Sequence, residues 1–174
     1  FFLVIGVDVA VSQPKMIEDT SLLWSTELTA GTHHTVKAAM AEEADLLFVV
    51  TLNSINVLRA SDGSIIDSIS IRTPSRTNAS QVACSRDGKV LCLLYRYYPV
   101  DGDSGGAMIM EYPSKRIIHE NVCPPVSIPG GGGILWQSSL VSVSPTGRYV
   151  AVPWDAQARI KLIDLQRDTS WLIQ

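Results

Sequence analysis

Residues Leu140–Leu165, LVSVSPTGRYVAVPWDAQARIKLIDL, constrain the fold more than any other stretch. Leu140–Ser144 alternates large and small side chains, and Pro145-Thr146-Gly147-Arg148 places Pro and Gly where a tight turn accepts them. Tyr149–Pro153 is a short apolar run, and Arg159–Leu165 alternates again, so the stretch reads as three antiparallel strands. A meander of that size cannot bury both faces by itself. It becomes stable by stacking on copies of itself.

The copies are present. Val36–Val50 (VKAAMAEEADLLFVV), Gln81–Leu94 (QVACSRDGKVLCLL) and Leu140–Val152 (LVSVSPTGRYVAV) each give a small-residue strand, a polar turn and a strongly apolar strand. With Ala39, Ala83 and Val143 as equivalent points, the units are spaced 44 and 60 residues apart. The first spacing matches the ~40–45-residue period of a propeller blade. The second accommodates two insertions, Asp101–Gly106 and Ile128–Gly133.

On these residues the chain resembles a WD-repeat or YVTN-type β-propeller. Ile160-Lys161-Leu162-Ile163-Asp164-Leu165-Gln166-Arg167-Asp168 is similar to the motif that ends a third blade strand in that family, with Ile163 in the place of Trp. Ile55-Asn56-Val57-Leu58-Arg59-Ala60-Ser61-Asp62-Gly63 follows it with Leu58-Arg59 for Trp-Asp, Ala107–Tyr112 is a looser copy, and Gly31-Thr32-His33 resembles the family's Gly-His. The resemblance implies an all-β fold of four-stranded antiparallel blades. It implies no particular activity, because propellers host many.

Four units follow from the pattern: 1–34 as the outer half of a blade, and 35–80, 81–127 and 128–174 as full blades. Phe1–Val11 reads as a buried strand and Ser21–Leu28 as another; the start inside a blade, on a residue other than Met, suggests that Phe1 is not the natural N-terminus. The second unit reads as Thr35–Met40, Leu46–Leu52, Ser54–Arg59 and Ser64–Ile71, with Asp62-Gly63 as a hairpin turn and Glu42–Asp45 too short for a helix. The third reads as Gln81–Ser85, Val90–Tyr95, Ala107–Tyr112 and Arg116–Asn121, and the fourth closes on Ser170–Ile173. Fourteen predicted strands make three and a half blades. Propellers have about 4–8, so the expectation is an arc of a larger ring, completed by the same chain or by a partner.

Composition narrows the function. Apolar residues are 46% of the 174 and charged ones 18%, which excludes a disordered chain. The net charge of −3 supplies no basic stripe for a nucleic-acid backbone. No apolar run reaches the ~20 residues of a membrane span, and Phe1–Val11 lacks the basic start and cleavage site of a leader. Cys84, Cys92 and Cys123 have no metal spacing and read as small buried hydrophobes of a reducing compartment, a Cys84–Cys92 cross-strand disulfide being the competing reading. The expected location is intracellular, in the cytoplasm.

Each chemical motif has a simpler reading beside it. Asp101-Gly102-Asp103 spaces two carboxylates as calcium loops do, but the third oxygen ligand would fall on Gly105, so a solvated loop is preferred. Gly130–Gly133 lacks the Lys-Ser/Thr that a phosphate loop requires. His33 and His34 are adjacent and would point apart on an extended chain, His119 stands alone, and no serine sits in a nucleophile elbow. Asn78-Ala79-Ser80 fits a glycosylation triplet, and Trp154-Asp155 spells the family dipeptide after the wrong strand, as a loop anchor would.

The remaining candidate is the long connection Arg96–Gly106, expected as a loop in which Arg96, Tyr97, Tyr98, Asp101 and Asp103 bind a partner. Arg and Tyr are the residues enriched at protein interfaces, although an aromatic flap sealing the blade is an equal reading. The expected function is a non-catalytic scaffold that binds other protein subunits of an assembly, with no cofactor, no metal and no direct nucleic-acid contact. The alternative is part of a propeller enzyme or ligand sensor with its site in the central channel. The inner strands, mostly Ala, Val, Ser and Cys, favour the scaffold.

Overall fold

The structure is a computed structural model that describes residues 37–51, 54–71, 77–97, 104–123, 141–154 and 159–173. Three four-stranded antiparallel meanders make up these residues. The first holds β1 (Lys37–Ala41), β2 (Leu46–Val50), β3 (Ser54–Arg59) and β4 (Ile65–Ser70). The second holds β5 (Thr77–Cys84), β6 (Val90–Tyr97), β7 (Ser104–Glu111) and β8 (Arg116–Cys123). The third holds β9 (Ser142–Val143), β10 (Tyr149–Pro153), β11 (Ile160–Asp164) and β12 (Thr169–Ile173). Glu42–Ala44 is a single 3₁₀ turn. No helix among the described residues is long and apolar enough to cross a membrane. The half blade expected in 1–34, with His33, His34 and the Gly-His resemblance, lies outside the described residues, as does Gly130–Gly133.

Strand alternation sends each sheet's apolar side chains to two faces, and the sheets stack on those faces. Phe48, Val50, Ile55 and Val57 of the first sheet pack on Val82, Leu91, Leu93, Met108 and Met110 of the second. The second sheet's opposite face, Cys92, Leu94, Ala107 and Ile109, packs on Val150, Val152 and Ile163 of the third. Phe48 meets Tyr112 edge to face at 5.4 Å, a geometry that adds about 0.5–1.5 kcal/mol to area burial. The first strands lie side by side, β1 beside β5 and β5 beside β9.

The turns repeat too. The amides of Ala60, Tyr112 and Leu165 each donate at 2.9 Å to the carbonyls of Asp45, Lys89 and Arg148. This makes Leu58, Met110 and Ile163 equivalent, two residues before each donor. Gly63, Lys115 and Asp168 are likewise equivalent, and all three adopt positive φ, at 72°, 58° and 51°. Glycine takes that conformation freely, whereas the other two carry the strain of the left-handed region.

Neighbouring blades are joined by their first turns. The Glu43 amide donates to the Arg86 carbonyl and the Arg86 amide to the Pro145 carbonyl, both at 3.0 Å. Further out, Lys115 Nζ reaches Asp67 Oδ1 at 2.7 Å and the Ser68 carbonyl at 3.4 Å, tying the second blade's rim to the first. The Lys115 hydrogen bond holds the Asp67 carboxyl below its usual range.

Two expectations are corrected. Arg96–Gly106 is not a loop throughout: Arg96 and Tyr97 continue β6, Ser104–Gly106 begin β7, and Tyr97 pairs with Ser104. The β6–β7 ladder continues through Tyr95↔Gly106 and Arg96↔Gly105 to Tyr97↔Ser104, where the backbone groups satisfy one another. The Cys84–Cys92 disulfide is excluded because both thiols are free. Cys84 packs against the first cluster and Cys92 lies in the second, on opposite faces of one sheet. Burial pushes the Cys84 thiol up to about 11 and that of Cys92 to about 12, which keeps both protonated.

Candidate interaction surface

Among the expected binding residues, Arg96 and Tyr97 end β6. Tyr98, Asp101 and Asp103 lie outside the described residues. Their frame is fixed all the same. β6 and β7 are paired from Val90↔Glu111 to Tyr97↔Ser104, and the Tyr95 hydroxyl donates to Glu120 Oε1 at 2.9 Å. Asn78 pairs with Arg96 inside β5, a strand rather than the loop a glycosylation triplet favours.

Charged groups in the blade turns are spent on one another. Asp87 Oδ1 accepts from the Ser85 hydroxyl at 2.7 Å and from the Lys89 amide at 3.1 Å, and these bonds lower its pKa. Glu111 pairs with Arg116 at 2.7 Å, and the Arg116 hydrogen bond lowers its pKa. Asp62 is lowered by the Ser64 side-chain and backbone bonds ahead of its contact with Arg59. Such groups close turns.

Asp164 is the deepest of them, with a side chain 1% exposed. Arg148 donates to it through Nε at 3.1 Å and Nη2 at 2.8 Å, while the Gln166 and Arg167 amides add 3.1 and 3.3 Å bonds. The Arg148 hydrogen bond dominates the lowering of its pKa. A carboxyl lowered on folding stabilises fully above its unfolded pKa of about 3.9, and loses that contribution as pH falls through the folded value. Asp164→Asn is therefore expected to lower the melting temperature at pH 7, with a gap that closes below about pH 4 as wild type loses the same charge. An equal gap at pH 7 and in acid would show that the carboxylate charge is not what Asp164 contributes.

Trp154 behaves as an anchor at the blade edge. Its amide donates to the Arg159 carbonyl at 2.9 Å, and Lys161 Nζ sits 4.6 Å from its ring centroid. His119 keeps a buried Nε2 without a hydrogen-bond partner, and no group of three His, Cys, Asp or Glu among the described residues is arranged to hold a metal.

The sequence reading missed the rim. The outermost strand of every blade exposes large apolar side chains: Ile65 and Ile66 on β4, Ile117 on β8, and Trp171, Leu172 and Ile173 on β12, each between 44% and 52% exposed. The signal was present as β-branched and aromatic residues at consecutive positions, a pattern that reads as a two-sided buried strand until the edge position is known.

No protein-family model matches the chain, and no curated protein matches it. Solved structures do. The chain is similar to Kuenenia stuttgartiensis hydrazine synthase at 17% identity and TM-score 0.50, over 78% of this chain and 34% of that one. It is similar to Porphyromonas gingivalis dipeptidyl peptidase 4 at 14% identity and TM-score 0.50, over 80% and 19%. It is similar to the β-propeller domain of the trilobed protease of Pyrococcus furiosus at 8% identity and TM-score 0.50, over 79% and 42%. The chain thus spans less than half the length of each. Identities this low carry the fold and not the activity. With the three stacked meanders they show what this chain is: an all-β partial β-propeller.

Proposed function

We propose that the chain is a non-catalytic propeller scaffold of WD-repeat or YVTN type, holding other protein subunits in an assembly by its blade edges and loops. The observation that carries this reading is the apolar rim. Large exposed aliphatic and aromatic side chains on all three outer strands are costly in water and are typical of surfaces that meet another protein. The inner strands supply small or apolar residues instead, among them Ala39, Ala41, Ala83 and Val143. The WD-repeat assignment is supported by Leu58 and Ile163, which occupy one hydrogen-bonded station of their blades and are both buried.

The test is Ile66→Asp with Ile117→Asp. Exposed substitutions usually change stability by no more than about 0.5 kcal/mol, so melting should hardly move. Purified from its native source at matched abundance, the double variant should lose a partner that wild type carries in fixed ratio. Retention of every partner would overturn the rim as the binding surface.

A further inference from the structure

We propose that the outer edge of β12 pairs with an extended segment of another protein, which adds a fifth strand to the third sheet. The inference rests on the scaffold reading in taking the occupant to be a protein, and goes beyond it in naming the edge and the backbone groups that bind.

The ladder decides which groups are free. The Leu165 amide donates to the Arg148 carbonyl, on the β10 side, so the neighbouring Asp164 turns its own amide and carbonyl toward β12. Asp164, Leu162 and Ile160 therefore bond Thr169, Trp171 and Ile173, their partners in register. Alternation leaves Ser170 and Leu172 with amide and carbonyl pointing away from the sheet. Two amides and two carbonyls at strand spacing are a template for one more strand.

The other two outer strands are closed against such a guest. In β4, Ile65 pairs with Leu58 and Asp67 with Val57, which leaves Ile66 as a bulge. Ser68 faces Asn56 as Leu172 faces Lys161, each pair two residues from the equivalent Leu58 and Ile163. Both outward groups of Ser68 are taken: its amide donates to Asp67 Oδ1 at 2.7 Å and its carbonyl accepts from Lys115 Nζ at 3.4 Å. β8 bulges at Ile118, between the paired Ile117 and His119, and carries Arg116, His119 and Glu120. Bulges and charges keep foreign strands off an edge. β12 has neither. Thr169-Ser170-Trp171-Leu172-Ile173 pairs with β11 without a shift, holds no charge and no proline, and is exposed at every residue. Among the described residues nothing takes the Ser170 and Leu172 backbone groups as Asp67 and Lys115 take those of Ser68.

The side chains say what the incoming strand carries. Trp171 and Ile173 are 47% exposed on one face of the sheet, and Leu172 is 51% exposed on the other. β-branched residues set beside them would complete cross-strand pairs on both faces. A second copy is the poorer occupant. Its β12 offers the same four groups, but a line of five residues falls far short of the roughly 20–30 residues a side that a stable dimer buries. A flexible segment takes its affinity from the main-chain bonds themselves.

Amide hydrogen exchange of the full chain, with and without the peptide acetyl-Lys-Val-Thr-Val-Thr-Val-Lys-amide, tests the proposal. The expected result is fast exchange at Ser170 and Leu172 in the chain alone, and slowing at both when the peptide is added. Ser170→Pro removes an outward donor and no apolar surface, so it should weaken the peptide about tenfold, whereas Ser170→Ala should leave it bound as before. Ile66→Asp with Ile117→Asp should also leave it bound, so this proposal and the scaffold reading can fail separately. Peptide addition that slows neither amide would overturn the proposal, and that readout needs no variant. Equal weakening by Ser170→Ala would assign the binding to the side chain and overturn it. Slow exchange before any peptide is added would overturn it as well: in favour of a second copy if the protection and half the mass are lost on dilution, and in favour of the chain's own residues if they persist.

Discussion

Leu58→Asp is expected to abolish the folded state. Leu58 is 1% exposed and belongs, with Leu47 and Val49, to the cluster on the far face of the first sheet. It pairs with Leu47 across β2 and with Ile65 across β4, at the bulge where the register shifts after Val57. Removing a buried leucine costs about 2–5 kcal/mol, and burying an unpaired carboxylate adds several more. The sum exceeds about 5 kcal/mol, against a total stability of about 5–15 kcal/mol. At about 2–4 °C per kcal/mol for a chain of this size, melting should fall by more than about 10–20 °C, or the cooperative transition should vanish.

Leu58→Met separates a packing role from a general intolerance of change. It conserves volume and should cost less than about 1.5 kcal/mol. Thermal melting followed by circular dichroism reads both variants. A soluble Leu58→Asp protein melting within a few degrees of wild type would show that Leu58 is not an anchor of the sheet. Ile163 occupies the equivalent station and faces the second cluster, so its loss should loosen the contact between the second and third blades.

Much of the fold was legible because blade sequence and blade structure share a period. The small-residue strand, polar turn and apolar strand recur where β1–β2, β5–β6 and β9–β10 stand, and Asp62-Gly63 marks its hairpin with Gly63 at positive φ. The ends of β6 and β7 were harder to place. Tyr97, Ser104 and Gly105 have no alternating apolar pattern, and they are strand residues because a paired neighbour satisfies their backbone. Register is a property of two strands at once. A reading of one segment at a time underestimates how far a ladder runs.

The exposed apolar rim was less legible for a related reason. Ile65, Ile66 and Ile117 look in sequence like any buried strand residues, and only the meander order makes β4 and β8 outermost. Conversely, Cys84 and Cys92 look close enough to bridge. Pairing of Ala83 with Cys92 and of Cys84 with Leu91 puts the two cysteines on opposite faces. Both judgements depend on which face or edge a residue occupies, which the one-dimensional pattern leaves open.

Gly147→Ala is expected to be the more damaging of the two turn-glycine substitutions. Gly147 and Gly88 share positive φ, 72° and 71°, so alanine pays the same left-handed strain of about 1–2 kcal/mol at either place. Their surroundings differ. The new methyl at Gly88 meets Leu46 Cδ1 at 3.1 Å, the far end of a side chain that can rotate away, and Ala41 Cβ at 3.2 Å, which needs to give by only a few tenths of an ångström. At Gly147 it meets Val90 Cγ2 at 2.8 Å, a branched group next to the backbone, with Val90 Cβ and Ser85 Cβ both at 3.3 Å behind it. Overpacking of that kind adds about 1–3 kcal/mol, for a total of about 2–5 kcal/mol at Gly147. Val90→Ala deletes the clashing methyl, so the double variant should be more stable than the sum of the two single losses predicts. The rescue should be partial, because backbone strain remains. Strict additivity in denaturant melts of all four proteins would show that the third blade's turn does not press on Val90.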